Sequence, residues 1–271
     1  MSSPWTVLTS IAALCALSAR WNWWRRPLKG LAVPMYHQIG NPPAQAKLKK
    51  LWVSAQDFRW QMNHLLKSGF TPMLCSEYCA ALDAKTPMPE RPALVTFDDG
   101  YADNYETAYP ILKDLGIKAN IFLVYEAIDK HNFFNDPKVG PWQRMMTWTQ
   151  IRAMRDSGLV EFGSHTMTHP VLPELPYEEA RWQIEESRGR LSEALERPIT
   201  AFAYPYGAGA YDSRIRELVR ISGYRLDFGI RQGLSSVQWN PEQGPIKRLL
   251  VRGDDFKADY YLNLTRGKAR L

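Results

Sequence analysis

Along the chain, short apolar runs alternate with longer stretches in which apolar residues recur every three or four positions. The runs LAVPMY (31–36), FTPML (70–74), ALVTF (93–97), KANIFLV (118–124), LVEF (159–162), ITAFAY (199–204), RLDFGI (225–230) and KRLLV (247–251) have the length and side chains of buried strands. Between them, SAQDFRWQMNHLLKSG, SEYCAALDA, DNYETAYPILKDLG, TWTQIRAMRDSG, PYEEARWQIEESRGRLSEALE and DSRIRELVRISG carry helical periodicity. Several open on Ser, Thr or Asp and several close on Gly, as caps and stops should. Strand then helix, repeated, predicts an α/β fold with a mostly parallel sheet, and seven or eight such units favour closure into a barrel. Residues 126–145 lack a period and read as a long loop over one end, a common place for a substrate lid.

The N-terminus departs from this pattern. From Trp5 to Ala19 there is no charge, and RWNWWRRPLKG follows at once. Counted through Trp24, the segment approaches the ~20 residues of a membrane span, with tryptophans where interfacial aromatics sit. This predicts an N-terminal anchor helix contacting membrane lipid; a helix lying flat on the membrane is the rival. Arg20, Arg25, Arg26 and Lys29 all follow the segment, which slightly favours an inner-membrane protein with a cytoplasmic main domain, a domain outside the membrane being the alternative.

Composition changes little else. The 271 residues, 45% hydrophobic, suffice for one large α/β domain, and 34 Lys plus Arg against 28 Asp plus Glu is basic without an arginine-rich nucleic-acid signature. KLKK at 47–50 and RGKAR at 266–270 read as solvated charge. Cys15, Cys75 and Cys79 have neither disulfide-framework nor C-x-x-C spacing, so they read as packed thiols.

Candidate chemistry collects at strand ends. ALVTF runs into Asp98, Asp99 and Gly100, which alone reads first as a tight turn. LVEF leads to GSHTMTHP, where Pro170 argues against a helix through His169, so His165 and His169 sit in a loop. Two histidines and a carboxylate form a catalytic zinc set, although each histidine alone reads as an ordinary hydrogen-bonded residue. ITAFAY ends in Pro205, Tyr206 and Gly207, a turn that can aim a backbone N–H into a site. In parallel barrels the active site lies at the C-terminal strand ends, where all three motifs fall.

In order and separation, TFDDG, HTMTH and FAYPYG resemble the first three motifs of the polysaccharide deacetylases, carbohydrate esterase family four, over roughly residues 31–251. The resemblance implies a distorted (β/α) barrel of about seven strands, spanning 30–260 between the 1–29 anchor and a basic 261–271 tail. It further implies metal-dependent removal of N-acetyl groups from sugars, with Zn2+ the expected ion. Asp99, His165 and His169 would hold the metal, Asp98 would be the general base, and the Tyr206 N–H would support the oxyanion beside Pro205 and Gly207.

Two departures stand out. Ala203 occupies the third-motif position where many members have an arginine that orients the base, and no histidine follows His169 to protonate the leaving amine. His37, in VPMYHQIG, follows the first strand and resembles the early histidine of the poly-N-acetylglucosamine deacetylase branch, so it is the expected acid. The substrate expectation is a bacterial-type glycan, with a lipid-linked or nucleotide-linked amino sugar as the alternative. A tethered glycan-binding module of weak catalysis is the reading from another class. His64 and His131 read as structural, and Trp142, Trp148 and Trp239 as core or rim.

Overall fold

Each of the eight apolar runs contains extended chain, and seven of them close the barrel. In the computed structural model, which describes residues 3–18, 21–138 and 140–270, the barrel strands are β1 (Pro34–Tyr36), β2 (Val95–Phe97), β3 (Ala119–Leu123), β4 (Val160–Ser164), β5 (Ala201–Ala203), β6 (Leu226–Gln232) and β7 (Ile246–Leu250). All neighbours pair in parallel, and β1 completes the ring between β7 and β2. The eighth run stays outside, where Thr71–Pro72 pairs with Pro92–Ala93. Each of those two-residue strands contains a proline, which cannot donate to a ladder.

The helices among the described residues are α1 (Pro4–Ser18), α2 (Ala55–Lys67), α3 (Cys75–Leu82), α4 (Tyr109–Leu115), α5 (Trp148–Asp156), α6 (Tyr177–Leu195), α7 (Ser213–Ile221) and α8 (Lys257–Arg266). Their ends follow the local signals: Ser54 and Asp212 accept from first-turn N–H groups, and Thr147 with Gln150 forms a capping box. Side chains alternate along the strands. On β3, Ala119, Ile121 and Leu123 join the large cluster shared with the helices, while Phe122 joins a second cluster with Leu94, Ala201, Phe228 and Ile246. Cys75 and Cys79 are free, buried thiols in that second cluster.

The expected membrane anchor is not what the chain forms. No helix among the described residues is long and apolar enough to cross a membrane. α1 has 15 residues, about 22 Å at ~1.5 Å per residue, against a hydrocarbon core of ~30 Å. The residues counted as its continuation fold elsewhere; Ala19 and Arg20 lie outside the described residues. Trp21 Nε1 donates to Asp259 Oδ1 (3.0 Å) and buried Asn22 donates to the Lys268 carbonyl (2.7 Å), docking this stretch on α8 and the chain after it. The expected inner-membrane location and orientation argument lose their basis with the span. Residues 261–266 of the expected tail are the last turns of α8.

Candidate active site

The parallel register brings the chemistry-bearing residues to one end of the barrel. Tyr36 pairs with Phe97, and the Asp98 N–H donates to the Tyr36 carbonyl (3.0 Å), so His37 and Asp98 leave adjacent strands together. His165 follows β4 and donates its backbone N–H to the Leu123 carbonyl (2.8 Å). Pro205–Gly207 follows β5 after Tyr204. Of the seven non-glycine residues with positive φ among the described residues, four surround this site: Asp99 (73°), Thr166 (72°), His169 (65°) and Tyr206 (57°). Such strain concentrates where the surrounding structure must aim a group. Gly207 has φ 68°, and an added Cβ would lie 2.4 Å from Ile230 Cγ1, so this turn admits only glycine without rearrangement.

Asp99, His165 and His169 are all buried, with one ligand atom from each lying within 4.8 Å of the others. Both histidine Nε2 atoms stand 3.4 Å from Asp99 Oδ1. His165 Nδ1 lies 2.7 Å from the Ala203 carbonyl, which can only accept, so Nδ1 carries the proton. Burial, helped by His169, pushes His165 down to about 4 against the pull of Asp98 and Asp99, so the neutral ring turns a bare Nε2 toward Asp99. A cation held between them would satisfy both the lone pair and the carboxylate. The spacing suits one: ligands ~2.0–2.1 Å from a tetrahedral centre stand ~3.3 Å apart. Burial raises the Asp99 carboxyl, but hydrogen bonding and charge from His169, with charge from His37, hold it well below its usual range. The His169 ring packs against Phe134 and Tyr206, each 4.5 Å away between centroids; its backbone N–H is fixed by Thr166 Oγ1 (2.9 Å).

Asp98 is held by a residue the sequence reading did not single out. Arg248, fully buried in β7, meets both carboxylate oxygens, Nη1 to Oδ1 at 2.6 Å and Nη2 to Oδ2 at 2.7 Å, while its Nε donates to the Gly229 carbonyl (2.8 Å). Burial would raise the Asp98 carboxyl; the Arg248 guanidinium beside it more than offsets this and holds it below its ordinary value. The orienting arginine expected near Ala203 thus arrives from another strand, and the Ala203 carbonyl orients His165 instead. One signal was present: an arginine next to Lys247 in KRLLV, a run otherwise suited to burial.

His37 is half-buried with its Nδ1 enclosed and, among the described residues, unpartnered, close enough for its charge to favour both aspartates. Tyr206 is half-exposed at the rim, where burial and Asp99 raise its phenol. The 126–145 loop doubles back on itself, Asn132 N–H to the Gln143 carbonyl (3.0 Å) and Met145 N–H to the Lys130 carbonyl (3.0 Å). His131 stacks on exposed Trp142 at 4.2 Å, and Trp239 is core. Trp148 packs on Tyr125, and His64 packs against Trp60, Tyr260 and Tyr261 away from this site.

The sequence matches the family described as polysaccharide deacetylase over residues 85–226, just over half of the chain. The Bacillus subtilis (strain 168) protein YxkH is 27% identical over 220 residues, 81% of this chain and 71% of the relative. The poly-beta-1,6-N-acetyl-D-glucosamine N-deacetylase of Escherichia coli (strain K12) is 27% identical over 258 residues, covering 83% of this chain but 37% of the relative, so the chain spans little more than a third of that protein. The structure of IcaB from Ammonifex degensii superposes with a TM-score of 0.72 at 25% identity, over 90% of this chain and 100% of that one.

Proposed function

We propose, from the premise that this chain belongs to the polysaccharide deacetylase family, that it removes N-acetyl groups from an exopolysaccharide of the poly-β-1,6-N-acetylglucosamine kind with the help of zinc. As a member it is a hydrolase of N-acetyl amide bonds. The observation that carries the mechanism is the Asp98 carboxylate gripped by Arg248 beside the Asp99–His165–His169 cluster. The substrate class is supported by the name of the Escherichia coli relative. The Asp-His-His donor set, with nitrogen ligands and a single carboxylate, favours zinc over magnesium or calcium.

Asp99, His165 and His169 would hold the ion, which when bound supplies polarisation of the acetyl carbonyl and a lowered pKa for the attacking water. Asp98, kept ionised and oriented by Arg248, takes the proton from that water as the new C–O bond forms. The Tyr206 N–H meets the developing oxyanion, a contact of about 3–4 kcal/mol in comparable sites. His37, on the neighbouring strand end, delivers a proton to the sugar nitrogen. The C–N bond then breaks to acetate and a free amine, without an unprotonated amide anion as leaving group. The weakly catalytic binding-module alternative rested on Ala203 and the absent late histidine; Arg248 and His37 support the enzyme instead.

Acetate release from a panel of N-acetylated polymers, oligosaccharides and nucleotide-linked sugars tests the substrate. Chelation is expected to abolish release and zinc to restore it, and His165→Ala or His169→Ala should purify with less than about a tenth of the wild-type metal. Undiminished activity in the stripped protein would contradict the metal assignment. For His37→Ala, the expected loss is about 10²-fold in kcat on amides, with little change on 4-nitrophenyl acetate, whose leaving group needs no proton. Equal losses on both substrates would remove His37 from the acid role.

A further inference from the structure

His37 extends from the end of a three-residue strand, and the short Gln38–Ile39 strand after it pairs, among the described residues, only with Trp52–Val53, outside the barrel. A proton donor there needs something to set its distance from the base. The contacts that do so come from one segment. Asn104 Nδ2 donates to the His37 carbonyl (2.9 Å) and to Asp103 Oδ1 (2.9 Å), and the same Asp103 oxygen accepts from the Ile39 N–H (3.1 Å). On the other side of His37, the Asp98 N–H holds the Tyr36 carbonyl. Residues 98–104 therefore grip the backbone of the His37 segment at three points, and the same residues carry Asp98 and Asp99.

Asn104 is fully buried, and its Oδ1 has no partner among the described residues. A buried amide that leaves its oxygen unsatisfied carries a cost, so the contacts of its nitrogen need an explanation beyond filling space. It also opens the Asn104–Ala108 stretch, a π-helical turn ahead of α4. Such turns occur mostly as local widenings at functional sites.

We infer that Asp103 and Asn104 are positioning residues for the leaving-group proton transfer, a clamp that fixes His37 relative to Asp98 through the backbone of residues 37–39. The inference rests on the assignment of His37 as the acid. Neither side chain touches the reacting atoms; their effect passes through where His37 stands.

The test measures kcat and KM on an N-acetylglucosamine oligomer and on 4-nitrophenyl acetate for Asn104→Ala, Asp103→Ala, Asp103→Asn, His37→Ala and the His37→Ala/Asn104→Ala pair, with bound zinc per chain. Asn104→Ala is expected to lose at least about tenfold more kcat on the amide than on the ester, with KM and zinc content near wild type. Added to His37→Ala it should cost little more, because the clamp has nothing left to position. Asp103→Ala, at a less buried position, gives the same pattern if Asn104→Ala folds poorly, and Asp103→Asn, which keeps an acceptor toward Ile39, recovers most of the loss. Equal losses on amide and ester, no loss, or full additivity with His37→Ala would overturn the clamp. If His37→Ala shows the amide-selective loss and the clamp variants do not, the clamp alone falls. If His37→Ala lacks that selectivity, the acid assignment falls and the clamp falls with it.

Discussion

Asp98→Asn is expected to keep its metal and lose acetate release by about 10³-fold or more, within the range a positioned general base supplies. The change is nearly isosteric, and it leaves a carbonyl oxygen for one Arg248 contact where the carboxylate accepted two, at 2.6 and 2.7 Å. Asp99, His165 and His169 lie in contacts that do not involve the Asp98 side chain, both histidines meeting Asp99 Oδ1 at 3.4 Å. An amide cannot take a proton from water near neutral pH, so the loss falls on kcat rather than on zinc content. Acetate assay and elemental analysis of one preparation check both halves. Turnover within about tenfold of wild type would remove Asp98 from the base role, and parallel loss of zinc would place it among the ligands instead.

Arg248→Met is expected to have the largest effect on the fold and a comparable effect on rate. It leaves the Asp98 carboxylate buried without its partner and the Gly229 carbonyl without its donor. Removing one member of a buried pair costs about 3–5 kcal/mol, which for a domain of this size is a fall in Tm of roughly 10 °C. The rate should respond to pH in a way that misfolding alone would not produce. In the native protein Arg248 is the main group opposing the rise that burial imposes on the Asp98 carboxyl. Without it the base stays protonated to higher pH, so the acid limb of the pH–rate profile moves upward and activity partly recovers as pH rises. Arg248→Lys should fall between the two, since an ammonium supplies charge without the two-pronged geometry. An acid limb that does not move in Arg248→Met would show that the guanidinium does not set the ionisation of Asp98.

The parts legible in the chain were those governed by neighbours in sequence. Alternation within KANIFLV places Ile121 and Leu123 on one face and Phe122 on the other, as the two buried clusters require. The Ser54, Thr147 and Asp212 caps mark where α2, α5 and α7 begin. Asp98, Asp99, His165, His169 and Pro205–Gly207 were visible because each follows directly on a recognisable strand. Arg248 was not, because its partner is 150 residues away and a strand containing KR reads equally as one with an exposed charge. The N-terminal segment misled for a related reason. An apolar run followed by tryptophans has the composition of a span, but Trp21 and Asn22 find their partners at Asp259 and Lys268 across the whole length of the chain.

What the sequence by itself determined, then, is the alternation of elements and the residue types at the strand ends, because periodicity, capping and turn chemistry act over a few residues. Tertiary structure decided which of those residues act on one another. Closing seven parallel strands sets His37 beside Asp98, carries Arg248 from the last strand to the base, and lets Asn104 reach the His37 carbonyl. Those contacts depend on the register of strands far apart in the chain, and nothing in the local pattern of either partner specifies it.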